Sequence, residues 1–244
     1  MRRTVTAELL DELPPTDAAA MQSRRDLRRI NAVMGNHRFL ARVLRATLPI
    51  SDKPRLLDLA TGDGTQIMRV AKVLGRLGAG GELVLVDRHN LVAESTRAGL
   101  ARLGWSVITD VSDIFSWMRR PVGLGFDAIV TNLFLHHLPD ESLKIFLEAV
   151  AQRTRVFAAV EPQRGAWQLL QSHLVGLLGC NRVTRRDAVA SVRGGFHDRE
   201  LARLWPHDSA WLLHERSAGL ASHVFVAQRS RRNRGSSCAS TSSS

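Results

Sequence analysis

The stretch Leu56-Leu57-Asp58-Leu59-Ala60-Thr61-Gly62-Asp63-Gly64-Thr65 decides the fold. An apolar run that ends in an acid and two closely spaced glycines predicts a buried strand, a tight turn and a helix start. Glycine lets the backbone approach a ligand, and the first helical turn offers N–H groups that have no intrahelical partner. The glycine pair alone is a weak sign. A nicotinamide-type G-x-G-x-x-G would need a third glycine where Ile67 stands, which counts against a hydride-transfer enzyme.

The same alternation continues outward. Strands are predicted over 55–60, 82–87, 106–109, 126–132 and 155–161, with helices over 65–77, 91–103, 113–118 and 140–151 between them. Such alternation predicts an α/β, Rossmann-like, mostly parallel sheet with helices on both faces. The end breaks the pattern. Residues 211–216 and 222–228, joined through Gly219, predict a terminal antiparallel hairpin. Upstream, Leu27, Ile30 and Met34 mark one helical stripe, and Phe39, Leu40, Val43, Leu44 and Leu48 a second, with a break at Gly35-Asn36. Residues 1–20 are expected to be a polar, partly ordered lead-in, since Pro14-Pro15 blocks a helix through it. The expected organisation is an N-terminal helical cap over 1–50, a Rossmann-like domain over 51–229 and a disordered tail over 230–244.

Acids close three successive strands: Asp58, Asp87 and Asp110. In open α/β sheets ligands bind at the carboxyl ends of the strands, and a carboxylate there can accept from both hydroxyls of a ribose. Asp87 by itself does not separate a nicotinamide cofactor from S-adenosyl-L-methionine, because both contain that ribose.

Taken with Phe126-Asp127-Ala128-Ile129-Val130-Thr131-Asn132-Leu133-Phe134-Leu135-His136-His137-Leu138, these motifs resemble the class I S-adenosylmethionine-dependent methyltransferases, nearest the small-molecule branch of the ubiquinone and menaquinone enzymes. The resemblance runs from about Arg55 to Gln228 and implies a seven-stranded sheet finished by the terminal hairpin. It implies S-adenosyl-L-methionine as cofactor. Gly62 and Gly64, beside Ala60 and Thr61, would line its methionine portion, and Asp58 would help to hold the amino group. Asp87, followed by Arg88, would take the ribose, and Asp110 with Val111 the adenine. Asn132 and Leu133 would lie next to the sulfonium methyl. One departure is visible: Ala60-Thr61 stands where the family usually shows Gly-Cys or Gly-Ser, and the added methyl tightens the turn.

Methyl transfer needs alignment and exclusion of water, and a weakly acidic acceptor also needs a base. His136 and His137 are the candidate bases, weighed against a hydrogen-bonded structural role in the loop. His37 in the cap, Glu161 at the end of the fifth strand, and Trp167, Leu170 and His173 on the following amphipathic helix are candidate acceptor contacts, weighed against a solvent-facing His37, a Glu161 that only satisfies neighbouring backbone N–H groups, and a helix whose apolar residues belong to the core.

Composition bounds the rest. With 44% apolar residues the chain is globular rather than disordered. No apolar run is long enough to span a bilayer, Cys180 and Cys238 make no disulfide framework, and no metal site is expected; the expected location is the cytoplasm. The net charge of +11 comes almost wholly from arginine, since only Lys53, Lys72 and Lys144 are lysines. No aromatic residues interleave the basic runs as single-strand binding wants, so the charge is read as solvated faces and a tail. The acceptor expected is a small, apolar, aromatic or polyketide-like molecule methylated on oxygen or carbon. An RNA or other nucleic-acid methyltransferase is one alternative, weakened because Asn132-Leu133-Phe134-Leu135 lacks the prolines that grip an extruded base. A NAD-dependent oxidoreductase and a non-catalytic cofactor-binding relic are the others. The oligomeric state is left open.

Overall fold

In the computed structural model, which describes residues 1–48, 53–121 and 125–230, the alternation becomes a single sheet. Three N-terminal helices come first: α1 (Leu9–Glu12), α2 (Ala18–Met34) and α3 (Asn36–Thr47). The alternating part follows as β1 (Arg55–Leu59), α4 (Thr65–Leu74), β2 (Glu82–Asp87), α5 (Glu94–Arg102), β3 (Ser106–Val111), α6 (Ile114–Met118), β4 (Phe126–Asn132), α7 (Asp140–Ala151) and β5 (Thr154–Pro162). Helices α8 (Ala166–Leu174), α9 (Arg182–Gly194) and α10 (Glu200–Leu204) then lead to the hairpin of β6 (Trp211–Ala218) and β7 (Ser222–Arg229).

The sheet has seven strands in the order β3-β2-β1-β4-β5-β7-β6, parallel through β5 and antiparallel where β7 joins. The chain winds outward from β1 to β3 and then crosses back to β4 on the other side of β1. That reversal opens a crevice between the carboxyl ends of β1 and β4. Alternate residues of each strand feed opposite cores. Leu57, Leu59, Ile129 and Phe157 pack with Phe146, Trp205 and Phe225 on one face, while Leu56, Leu83, Leu85 and Val130 pack with Leu40, Leu44 and Ile67 on the other.

The cap is better ordered than its composition suggests. The Asp17 carboxylate accepts from the N–H groups of Ala19 and Ala20 to start α2, and Gly35 ends it at φ +68°, a left-handed value that costs glycine little. Ahead of Pro14-Pro15, the lead-in holds a turn of helix whose N–H groups at Leu9 and Leu10 donate to Asp187 of α9 at 2.9 and 3.0 Å. Arg3 donates to the carbonyls of Gly194 and Leu138, both at 2.8 Å, and its guanidinium lies over the Phe196 ring. The segment read as partly ordered is therefore a strap tied down by long-range contacts. The proposed boundary at 50/51 and the Arg/Ser-rich tail lie outside the described residues. Among the described residues no helix is long and apolar enough to cross a membrane.

Candidate active site at the strand tips

The turn after β1 is held from both sides. Thr61 N donates to the Val86 carbonyl, Gly62 N to Asp87 Oδ2 at 2.8 Å, and Thr65 N to Asp63 Oδ1. To make it, the backbone enters the left-handed region at Ala60 (φ +57°), Gly62 (+59°) and Gly64 (+72°). A Cβ at Gly62 would meet nothing within 4 Å, so that edge of the turn is open, whereas one at Gly64 would come within 3.0 Å of Thr96. No side chain caps α4 at Gly64. Its N-terminus faces the crevice as a site for an anionic or strongly accepting group.

Ala60 is the strained member of this turn, since an L-residue in the left-handed region costs about 1–2 kcal/mol. Glycine there relieves the strain and gives back part of the gain as unfolded-chain entropy. Ala60→Gly is therefore expected to raise the melting temperature by a few degrees, about 1 kcal/mol for a chain of this size; an unchanged or lower melting temperature would show that the Ala60 methyl contributes packing instead.

The acids differ in their surroundings. Asp58 is buried and accepts from Thr61 Oγ1 at 2.6 Å; burial, helped by the charge of Asp87, pushes its carboxyl up to about 7. Asp87 accepts from Gly62 N and His89 N, one oxygen each, which aims the carboxylate along the rim. Asp110 is engaged by Arg120 and Ser112. Burial alone would raise its pKa, but those two bonds outweigh it and hold the carboxyl below its usual value. Adenine binding at Asp110 would have to compete with Arg120. Val111 beside it is exposed. Arg88 pairs with Asp11 of α1 at 2.5 Å.

The cap rests on the same rim. Arg28 of α2 pairs with Asp63 at 2.9 Å. Buried Asn36 at the head of α3 donates to Asn132 Oδ1 at 3.0 Å and accepts from Ser222. Leu133, immediately after β4, takes φ +55°, a second strained non-glycine residue at the crevice. His37, next to Asn36, has a buried Nδ1 without a partner; burial and then the charges of Arg69 and Arg38 lower its pKa. The charge of Arg69 places it within reach of α4.

Beyond β4 lies a dense cluster. Glu161 is fully buried, and its oxygens accept from the backbone N–H groups of Phe134, Leu135 and His136 and from His136 Nδ1 at 2.8 Å. The acceptor-facing role read for Glu161 does not fit this placement, because the carboxylate is consumed in shaping the loop. On its far side His136 Nε2 lies 3.4 Å from Glu8. Burial opposes charge on His136, but the two carboxylates prevail and raise its pKa to about 9. His137 lies beside it, ring centroids 4.1 Å apart and planes tilted by 35°, with Nδ1 3.5 Å from Asp11. Burial and the charge of His136 lower the pKa of His137. The ligand atoms of Glu8, His136 and His137 lie within 4.8 Å of one another, a grouping the sequence spacing could not reveal. The imidazolium of His136 already balances the carboxylates there, and a metal ion would have to displace its proton.

The remaining acceptor candidates do not converge on the cluster. Trp167 and Leu170 are 60% and 50% exposed on the outer face of α8, and His173 borders a groove between α8 and α9. A second buried histidine went unread in the sequence: His223 bridges Glu215 (2.7 Å) and Gln163 (3.0 Å), and Glu215 accepts from the N–H groups of Leu201 and Ala202 at the start of α10. It fastens the hairpin to α10.

No family model and no curated protein sequence matches the chain. Solved structures do match. The apo S-adenosylmethionine-dependent methyltransferase SibL aligns over 93% of this chain and 64% of its own, with TM-score 0.57 and 15% identity. The magnesium protoporphyrin IX methyltransferase of Synechocystis PCC 6803 with bound SAH aligns over 91% of both chains, with TM-score 0.50 and 12% identity. This chain has the methyltransferase fold. A third neighbour, the N,N-8-amino-8-demethyl-D-riboflavin dimethyltransferase of Streptomyces davawensis, gives TM-score 0.54 at 16% identity over 92% of this chain and 62% of its own. At such identities the likeness speaks for architecture, and the chain spans under two thirds of the SibL and riboflavin-enzyme chains.

Proposed function

We propose that this chain transfers a methyl group from S-adenosyl-L-methionine to a small, apolar, aromatic or polyketide-like acceptor, on oxygen or carbon. The observation that carries the reading is the pairing at the switch point: the turn from Ala60 to Gly64 leaves Gly62 open toward the crevice, and Asp87 is fixed beside it by two backbone N–H groups. Those residues fit a nucleoside that carries a charged amino-acid arm. In this reading Gly62, Gly64 and Asp58 hold the methionine arm and Asp87 the ribose. Asp110 and Val111 border the adenine, and Asn132 and Leu133 stand next to the methyl group. The cofactor supplies a methyl already activated by sulfonium charge. The chain's part is alignment, exclusion of water by the cap and removal of the acceptor's proton.

Of the two candidate bases, His137 is the better suited. His136 is an imidazolium at neutral pH, clamped between Glu8 and Glu161, and has no free site for a proton. His137 is held below its usual pKa, is neutral at pH 7, keeps 24% of its side chain exposed, and has Asp11 to orient it. Incubation with methyl-labelled S-adenosyl-L-methionine and a panel of phenols and quinols tests this. Label should enter a phenol, and His137→Ala should lower kcat by about 10²- to 10⁴-fold while leaving S-adenosylhomocysteine affinity unchanged. Label appearing only in RNA, or a fully active His137→Ala enzyme, would overturn the assignment of acceptor or base respectively.

A further inference from the structure

We infer that the outer face of α8 and α9 is a docking surface for an anionic lipid bilayer. This inference is independent of the methyl-transfer reading. On α8 and the turn that follows it, Trp167, Leu170, Leu174, Leu177 and Leu178 are all exposed, the last two by 82% and 68%. Their spacing places them on one stripe. Gln168 Nε2 donates to the Leu220 carbonyl at 3.1 Å, which brings another exposed leucine, at the tip of the β6–β7 hairpin, to the first turn of α8. Soluble proteins rarely leave so much contiguous aliphatic surface in water.

Beside this stripe runs a groove of about 620 Å³ lined by Thr6, His173 and the arginines 182, 185, 186 and 193 of α9. Among the described residues none of these four guanidinium groups has an ion-pair or hydrogen-bond partner. The one acid between Gln163 and Gly194 is Asp187, which is buried on the opposite side of α9 and occupied by the N–H groups of Leu9 and Leu10. Nothing on the helix neutralises the arginines. A tryptophan and leucines flanked by unpaired arginines match the interface of an anionic membrane: apolar side chains enter the acyl boundary and guanidinium groups meet phosphate. A second copy of the chain is a poorer occupant, since a self-complementary contact would bring like charges together. Single-stranded RNA is poorer too, because Trp167 is the one aromatic residue in the patch and stacking needs several.

Flotation of the full chain with vesicles of phosphatidylcholine alone, or mixed equally with phosphatidylglycerol, tests the inference. The chain should float with the mixed vesicles and not with phosphatidylcholine alone. Replacing Arg185 and Arg186 by alanine should weaken binding about thirtyfold, roughly fivefold for each guanidinium. Leu177→Asp with Leu178→Asp should abolish it, with thermal melts confirming that these exposed sites leave the fold intact. As a readout independent of those variants, tryptophan emission should shift blue on addition of mixed vesicles in the wild type and not in Trp167→Phe. Equal binding to both vesicles, binding to neither, or binding that survives both double variants would overturn the inference. So would a dimer dispersed by the leucine variants, or RNA binding lost in the arginine variants without any vesicle binding.

Discussion

Glu161→Ala is expected to cost about 4 kcal/mol, one of the largest losses available from a single residue. The side chain is fully enclosed, receives three backbone N–H groups and pairs with His136. Removing it strands buried donors at roughly 1–3 kcal/mol each and leaves an imidazolium with one carboxylate neighbour in place of two. The loss is discounted because the loop can relax and admit water, yet the melting temperature should fall by about 10 °C or more. Glu161→Gln keeps an acceptor and should lose less.

The same cluster sets a pH dependence. The folded pKa of His136 is raised to about 9, above an unfolded value near 6.5. Its stabilisation is therefore fully present below about pH 6.5 and is lost as pH rises through about 9. Asp58 adds a decline at lower pH: its carboxyl, raised to about 7, favours the folded state while protonated and loses that advantage between its ordinary value and 7. Melting temperature measured from pH 6 to 10 should fall in the wild type and fall less in Glu161→Gln. A flat wild-type profile would mean that His136 is neutral in the folded protein.

The second large effect is expected at Asp87. Asp87→Ala should weaken S-adenosylhomocysteine binding about a hundredfold or more, the loss of two charge-assisted hydrogen bonds at roughly 1.5–3 kcal/mol each. The carboxylate also takes Gly62 N and His89 N, so a small drop in melting temperature should accompany the loss. Asp87→Asn retains one acceptor and should bind at an intermediate level. Unchanged affinity in Asp87→Ala would place the nucleoside elsewhere.

Much of the fold was legible because it depends on local patterns. Apolar runs of strand length, helical periodicity, the Gly35-Asn36 break and the hairpin through Gly219 are each written within a dozen residues, and each appears where expected. Helix α9 was not legible. Its buried side includes Thr184 and Asp187, polar residues whose partners Ser23, Asp26, Leu9 and Leu10 lie far back in the chain, so its apolar stripe is too sparse to read. The strap failed for the same reason: an N-terminal polar segment has no local sign that Arg3 will meet the carbonyls of Leu138 and Gly194.

At the site, the residue types were legible but their partners were not. Asp58, Asp87 and Asp110 stand at adjacent strand tips, as the order of motifs implied, but Arg120 on Asp110 and Asp11 on Arg88 are contacts between distant segments. The Ala60 departure was visible in the sequence; its left-handed backbone was not. His136 and His137 look alike in sequence, and only the enclosing carboxylates separate an imidazolium from a neutral neighbour.

Calorimetric titration of the full chain with S-adenosylhomocysteine and, separately, with NADH tests the central claim most directly. A methyl-transfer site predicts saturable one-to-one binding of the sulfur nucleoside and none of NADH. Binding of NADH, or of neither ligand, would contradict a methyl-transfer site at these strand tips.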